Sequence, residues 1–238
     1  GRIPDYWAEV LGEQLAFLRA SEQLGGIDVL PLGQPDGAPD LEQLEGAIAS
    51  LAPHLRPGAV IVNKSTVPVG SGNWTRTILE DALLGNRELS FAVVSNPEFL
   101  REGSAIDDFL YPDRIVLGGA AADVNRVAEL YEPVLQQSFD GGRRELAPAL
   151  ITTELTSAEM IKYAANAFLA TKISFANEIA QMCELFGADV REVLPAIGAD
   201  HRISSAFLNP GVGWGGSCFG KDVAALIASS QEYGYTPS

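Results

Sequence analysis

Short apolar runs alternate with amphipathic stretches through the first 150 residues, and this alternation constrains the fold more than any other feature. The runs 27–32 (IDVLPL), 59–63 (AVIVN), 90–95 (SFAVVS) and 114–117 (RIVL) read as strands, the second bounded by Pro57-Gly58. Between them, 41–51, with Asp40 as N-cap, and 73–84 read as helices, and 123–135 follows as a third. Strands separated by helices of this length form βαβ units, which demand a parallel sheet with both faces covered.

The pattern changes at 141–149, a stretch rich in Gly, Arg and Pro. Thr156 and Glu159 then have capping-box spacing, and no Gly or Pro interrupts the chain until Gly187. A helix of about 30 residues would span ~45 Å. Two further helices are expected, 190–197 (Asp189 as N-cap, Gly198 as stop) and 221–232, with a glycine-rich stretch at 211–220 before the second. The chain therefore divides into an α/β part, 1–149, and a helical part, 150–238.

Composition narrows the functional classes. The net charge of −15 repels phosphate backbones and anionic lipid, so neither nucleic acid nor a membrane surface is an expected partner. No apolar run approaches the ~20 residues that cross a bilayer. Two distant cysteines, Cys183 and Cys218, make neither a disulfide framework nor a metal clip, and two His leave no multi-His metal site. A reducing compartment, the cytoplasm, is expected, with no metal.

Three segments carry chemistry. Parallel sheets bind ligands at the carboxyl ends of their strands. Here those ends are followed by Gly33-Gln34-Pro35, by Lys64–Gly70 (KSTVPVG) and by Asn96-Pro97-Glu98-Phe99-Leu100-Arg101-Glu102. A Ser-Thr pair before a helix also serves as a cap, but three polar loops on one sheet edge favour a cleft. On the long helix, Lys162, Asn166, Leu169, Ile173, Ala176, Ala180 and Cys183 share one face through alternating spacings of 4 and 3. Either its Lys-Asn end leaves the core and the lysine snorkels, or both side chains enter a polar pocket. The third segment, 211–222 (GVGWGGSCFGKD), formally fits both G-x-G-x-x-G and the P-loop, yet no strand precedes it and Asp222 stands where the P-loop needs Ser or Thr. What remains is Cys218 among glycines, near an expected helix N-terminus and Lys221, a setting that favours a nucleophilic thiolate. Asp222 is either a helix cap or a proton acceptor.

Together, KSTVPVG at 64–70, SNPEFLREGSAIDDFLYPDRIVLGG at 95–119, ELTSAEMIKYAANAFLATKISFANEIA at 154–180 and FLNPGVGWGGSCFGKD at 207–222 resemble the UDP-glucose/GDP-mannose dehydrogenase family, nearest its UDP-glucose 6-dehydrogenase branch. The resemblance implies a Rossmann-like NAD-binding domain followed by an all-helical central dimerisation domain. It implies an NAD-dependent, two-step oxidation of the C6 hydroxyl of UDP-glucose to UDP-glucuronate through a cysteine thiohemiacetal and thioester. On that resemblance Cys218 is the nucleophile, Asp222 and Lys162 handle protons and the oxyanion, Asn166 helps hold the oxyanion, and Thr66 and Glu98 position water. Ser65, Glu102, Lys221 and Gln34 fall to the cofactor. Phe99, Leu100, Phe207, Leu208, Asn209, Gly211 and Gly215 fall to the sugar nucleotide, with Arg202 reaching the substrate of a neighbouring subunit. A homodimer packed through the long helix is the implied assembly.

The departures are specific. The family's opening G-x-G-x-x-G strand unit, its ribose-binding acid and its carboxyl-terminal domain are not in these residues, which read as the central part of a longer enzyme. Gln34 stands where the family has Thr, and Gly220 replaces the usual Pro or Gln. A related enzyme acting on a TDP- or GDP-hexose, and a non-catalytic dimerising homologue, are the alternatives.

Overall fold

The structure, a computed structural model, describes residues 41–83, 89–101 and 103–237. The expected strand 27–32, Asp40, Gln34 and Glu102 lie outside the described residues. Among the described residues the chain divides into two compact units, 41–159 and 160–237.

The first unit opens with α1 (Glu42–Leu51), whose N-cap is Leu41. β1 (Ala59–Asn63), α2 (Ser71–Ala82), β2 (Phe91–Ser95), α3 (Ala105–Leu110) and β3 (Arg114–Gly118) follow. Next come α4 (Ala121–Leu130), α5 (Glu132–Leu135) and β4 (Ala149–Thr153). The sheet order is β1-β2-β3-β4. β1 and β2 pair in parallel from Ala59↔Phe91 to Asn63↔Ser95, as do β3 and β4 from Arg114↔Ala149 to Gly118↔Thr153. β2 and β3, however, meet antiparallel at Ser95↔Gly118.

The wholly parallel sheet expected from the alternation is therefore corrected to a mixed one. The 96–113 connection carries only the six-residue α3, too short to run back along a sheet face as a parallel crossover requires. β4 is a second correction: 150–153 were placed in the helical part and Ala149 in the boundary stretch before it, yet Ala149–Thr153 is a strand. It is exposed along most of its length, and only three residues separate its apolar run, 149–151, from the long helix. β1 is only partly covered, with Val62 37% exposed, because it edges the four described strands.

Both sheet faces are covered where the core forms. Val94, Ile115 and Leu117 pack against Val124, Val127, Tyr131 and Val134 of the α4–α5 region. Ile61 and Phe91 pack with Ile48, Ala52 and Leu79 from the α1 and α2 side. The single helix expected over 123–135 is broken at Tyr131. Pro133 lacks an N–H and cannot continue a ladder, but it is tolerated at the start of α5.

The division between the units falls within α6 (Leu155–Phe186), a 32-residue helix ended by Gly187 at φ 71°. Its first turn packs so closely on the end of β3 that a Cβ at Gly118 would lie 2.6 Å from the Glu154 carbonyl oxygen. In the second unit α7 (Val190–Gly198) starts on Asp189, whose carboxylate accepts the Arg191 N–H as expected of an N-cap. α8 (Gly216–Glu232) closes the unit, starting five residues before the expected Lys221.

Candidate active site

In the first unit the carboxyl ends of β1 and β2 lie side by side, and the Asn96 N–H donates to the Asn63 carbonyl at 2.8 Å. The loops after them carry Ser65 and Thr66, and Glu98, Phe99 and Leu100. Asn96 is buried; its amide donates to Val116 O at 2.9 Å and accepts from the Tyr131 hydroxyl. Burial pushes that phenol up to about 12. Lys64 extends its ammonium to 5.9 Å from the Tyr131 ring centre. Burial lowers the Lys64 pKa, and the Glu98 carboxylate raises it part of the way back. The signal for Lys64 in the sequence is a cation one residue beyond the apolar run 59–62.

The second loop is fastened at both ends. Glu98 accepts the Leu100 N–H at 2.6 Å, and the Arg114 guanidinium lies 4.0 Å from the Phe99 ring centre. Arg101 pairs with Asp108 at 2.6 Å, and its hydrogen bonds hold the Asp108 carboxyl down at about 2.

Neither Ser65 nor Thr66 caps α2. Its N-cap is Gly70, in the left-handed region at φ 102°, with no side-chain cap of its own. The cap comes from Glu159. One carboxylate oxygen accepts the Gly70 N–H at 2.6 Å; the other accepts the Gly72 N–H at 2.8 Å and the Ser95 hydroxyl at 3.0 Å. The capping box expected at Thr156 is thereby corrected: α6 begins at Leu155, and Glu159 is committed to a different helix. Burial raises the Glu159 pKa, and the Gly70, Gly72 and Ser95 donors lower it.

The second unit holds the other cluster. Lys162 is 4% and Asn166 7% exposed, so the stripe does not leave the core at this end and the snorkelling alternative falls. The Asn166 amide donates to Asp222 Oδ2 at 2.6 Å, and Asp222 is 2% exposed. Asp222 is not a cap, because α8 begins six residues before it. Cys218 lies in the first turn of α8 and is exposed, three residues before Lys221 and four before Asp222 on the same helix. Lys221 Nζ is 3.9 Å from Asp222 Oδ1. Cys183 is buried on the α6 stripe.

The segment between α7 and α8 is moored to α6. Lys172 Nζ donates to the carbonyls of Ile203 and Ser204, Asn177 accepts the Gly211 N–H, and the Trp214 indole donates to Ser174. Phe207 sits at φ 62° with its ring 6.4 Å from that of Phe219, and Leu208 is buried. Asn209 is exposed. A Cβ built at Gly211 or Gly215 meets nothing within 4 Å, which leaves open space along the loop. Arg202 is exposed and paired with Asp200.

Residues 30–135 match the UDP-glucose/GDP-mannose dehydrogenase family, NAD binding domain, and residues 156–238 match its central domain. The chain belongs to the UDP-glucose/GDP-mannose dehydrogenase family. Within that family it is 46% identical, over 95% of its own length, to UDP-glucose 6-dehydrogenase TuaD of Bacillus subtilis, covering 48% of that protein. Among solved structures it resembles a UDP-glucose dehydrogenase from Pyrobaculum islandicum with 37% identity and a TM-score of 0.73, covering 86% of this chain and 45% of that one. A UDP-D-ManNAc dehydrogenase from Pyrococcus horikoshii matches at 28% identity and a TM-score of 0.70, over 84% and 45% of the two chains. The chain spans about half the length of the curated relatives it matches. Among the described residues no helix is long and apolar enough to cross a membrane, and no cluster of metal-ligating side chains occurs.

Proposed function

We propose that the full-length protein oxidises the C6 hydroxyl of UDP-glucose to the carboxylate, with NAD as cofactor and Cys218 as covalent nucleophile. The observation that carries this reading is the second-unit cluster: an exposed cysteine in the first turn of α8, four residues before a buried aspartate that an asparagine of α6 holds at 2.6 Å.

The residues of the first unit fit the cofactor. Hydroxyls at Ser65 and Thr66 and a carboxylate at Glu98 follow adjacent parallel strands, and ribose hydroxyls and a carboxamide pair with such donors and acceptors. When bound, NAD⁺ supplies the hydride acceptor for both oxidations. The chain's own residues do the rest. Asp222 takes the proton that leaves the C6 hydroxyl as the aldehyde forms, and Lys162 supports the developing oxyanion. Cys218 Sγ then bonds to the aldehyde carbon. One Asn166 amide hydrogen is taken by Asp222, so the second remains for the oxyanion, beside the Lys162 charge. Loss of a second hydride leaves a thioester. Water placed by Thr66 and Glu98 cleaves the C–S bond, releasing the acid and the thiol. Phe207, Leu208 and the open glycine loop face the sugar nucleotide in this scheme, and Lys221 serves the cofactor.

The test is purified full-length protein with NAD⁺ and UDP-, TDP- or GDP-sugars, followed by NADH absorbance. Two NADH per UDP-glucose is the expected result. Turnover of another nucleotide sugar alone would move the substrate assignment, and no turnover with any would favour a non-catalytic dimerising role.

The same reading extends to assembly in the cytoplasm as a homodimer through α6. Phe168, Phe175 and Met182 recur at seven-residue spacing on α6 and are exposed, Phe168 by 65%. Monomers do not normally leave such a stripe in water. Phe168→Asp with Phe175→Asp is expected to turn a dimer into a monomer in sedimentation velocity. A parent protein that is already monomeric at micromolar concentration would refute the assembly.

A further inference from the structure

Among the described residues of the first unit, Glu159 is the one buried carboxylate, and the scheme above leaves it without a task. Its environment is costly for a charge, and it is retained with three donors aimed at it. Those donors come from two loops distant in sequence. Gly70 and Gly72 flank the end of the 64–70 loop, and Ser95 is the last residue before the 96–102 loop. Gly72 leaves no room for a side chain: a Cβ there would lie 2.9 Å from Glu159 Oε1 and 3.1 Å from Ser95 Oγ.

At the end of the 64–70 loop α2 lacks a side-chain cap of its own. A carboxylate at that terminus meets free N–H groups and the positive end of the helix, the setting in which an anion is most stabilised. Asn63 is tied separately, through its amide to Thr75. The Glu159 bonds thus join the second turn of α6 to both loops at once.

We infer that Glu159 is a positioning residue for the reaction: through Gly70, Gly72 and Ser95 it fixes the loops that bear Ser65, Thr66 and Glu98, and so sets the geometry of the cofactor side of the site. This rests on the proposed oxidation for its catalytic consequence, though not for the clamp itself. Glutamine at 159 keeps the volume and one acceptor oxygen but turns an NH₂ toward the Gly70 or the Gly72 N–H. Alanine removes every acceptor.

The experiment uses the full-length protein and two readouts. In hydrogen exchange, Glu159→Ala is expected to lower amide protection over 66–72 and 95–100 by about tenfold while leaving 177–186 at its parent rate. Equal loss in all three segments, or none in the first two, would overturn the clamp. In kinetics, Glu159→Ala is expected to raise KM for NAD⁺ about tenfold, Glu159→Gln to fall between it and the parent, and Ser95→Ala to add nothing in the Glu159→Ala background. Additive effects of Ser95→Ala and Glu159→Ala, or an unchanged KM for NAD⁺, would overturn the positioning role. A parent that turns over no nucleotide sugar defeats the proposed oxidation instead, and the exchange readout then still decides the clamp.

Discussion

Cys218→Ala is expected to abolish uronate release, lowering net acid formation roughly a thousandfold or more, because no thioester forms without the sulfur. The first hydride transfer needs a proton acceptor rather than a thiol, so a single turnover to the aldehyde survives. The two cysteines make the assignment testable without mutation. Cys218 is exposed in the first turn of α8, while Cys183 is buried on the α6 stripe. Iodoacetamide is therefore expected to label Cys218 first, and NAD⁺ with UDP-glucose to slow that labelling. Peptide mapping checks the order and product analysis of the variant checks the chemistry. Normal uronate production by Cys218→Ala would remove the covalent step from the mechanism.

Asn166→Leu is expected to cost both stability and rate. The wild-type amide donates at 2.6 Å to a carboxylate that is almost fully buried, and Leu fills the space without supplying a donor. Leaving a buried charged acceptor short of a partner costs about 2–3 kcal/mol. That loss is read as a fall in the denaturant midpoint at unchanged slope. The rate falls further, because the same amide carries the hydrogen assigned to the oxyanion; one lost donor of that kind costs roughly a hundredfold in kcat. Asn166→Asp distinguishes the two contributions. It places a second carboxylate against Asp222, which raises the pKa of the pair. A carboxyl raised on folding contributes stability at low pH and loses it as pH rises. Its stability deficit relative to the parent is thus expected to be small near pH 4–5 and large above it. A melting temperature for Asn166→Leu equal to that of the parent would show that Asp222 is satisfied from elsewhere.

The alternation of apolar runs was sufficient to place β1, β2 and β3, because each is a short apolar run between turn residues, though β1 is only partly covered. The absence of Gly and Pro over thirty residues was sufficient for α6, and the alternating spacing along it correctly gathered Lys162 and Asn166 on the face that also buries Ala176 and Cys183. These are periodic signals, set by the local geometry of the chain. The motif segments were likewise legible, and the family match over 30–135 and 156–238 agrees with them. β4 was not legible, since its three apolar residues, 149–151, run almost directly into the long helical stretch. The start of α8 was misplaced because glycines at 216 and 220 read as loop, whereas the helix contains both.

What tertiary structure alone decided is where polar groups find partners. By itself the sequence determined which residues share a helix face; it left Lys162 to snorkel or enter a pocket, and only packing buried it. It offered Asp222 as a cap or a proton acceptor; the start of α8 six residues earlier removed the cap, and the carboxylate pairs with Asn166, fifty-six residues away. It placed Glu159 three residues after Thr156 in a capping box, and the fold took the carboxylate for the N-terminus of α2 instead. The physical reason is common to all three. A hydrophobic period is a property of neighbours along the chain, whereas a buried hydrogen bond is satisfied by whichever donor the completed fold brings within reach, and local spacing holds no record of that donor.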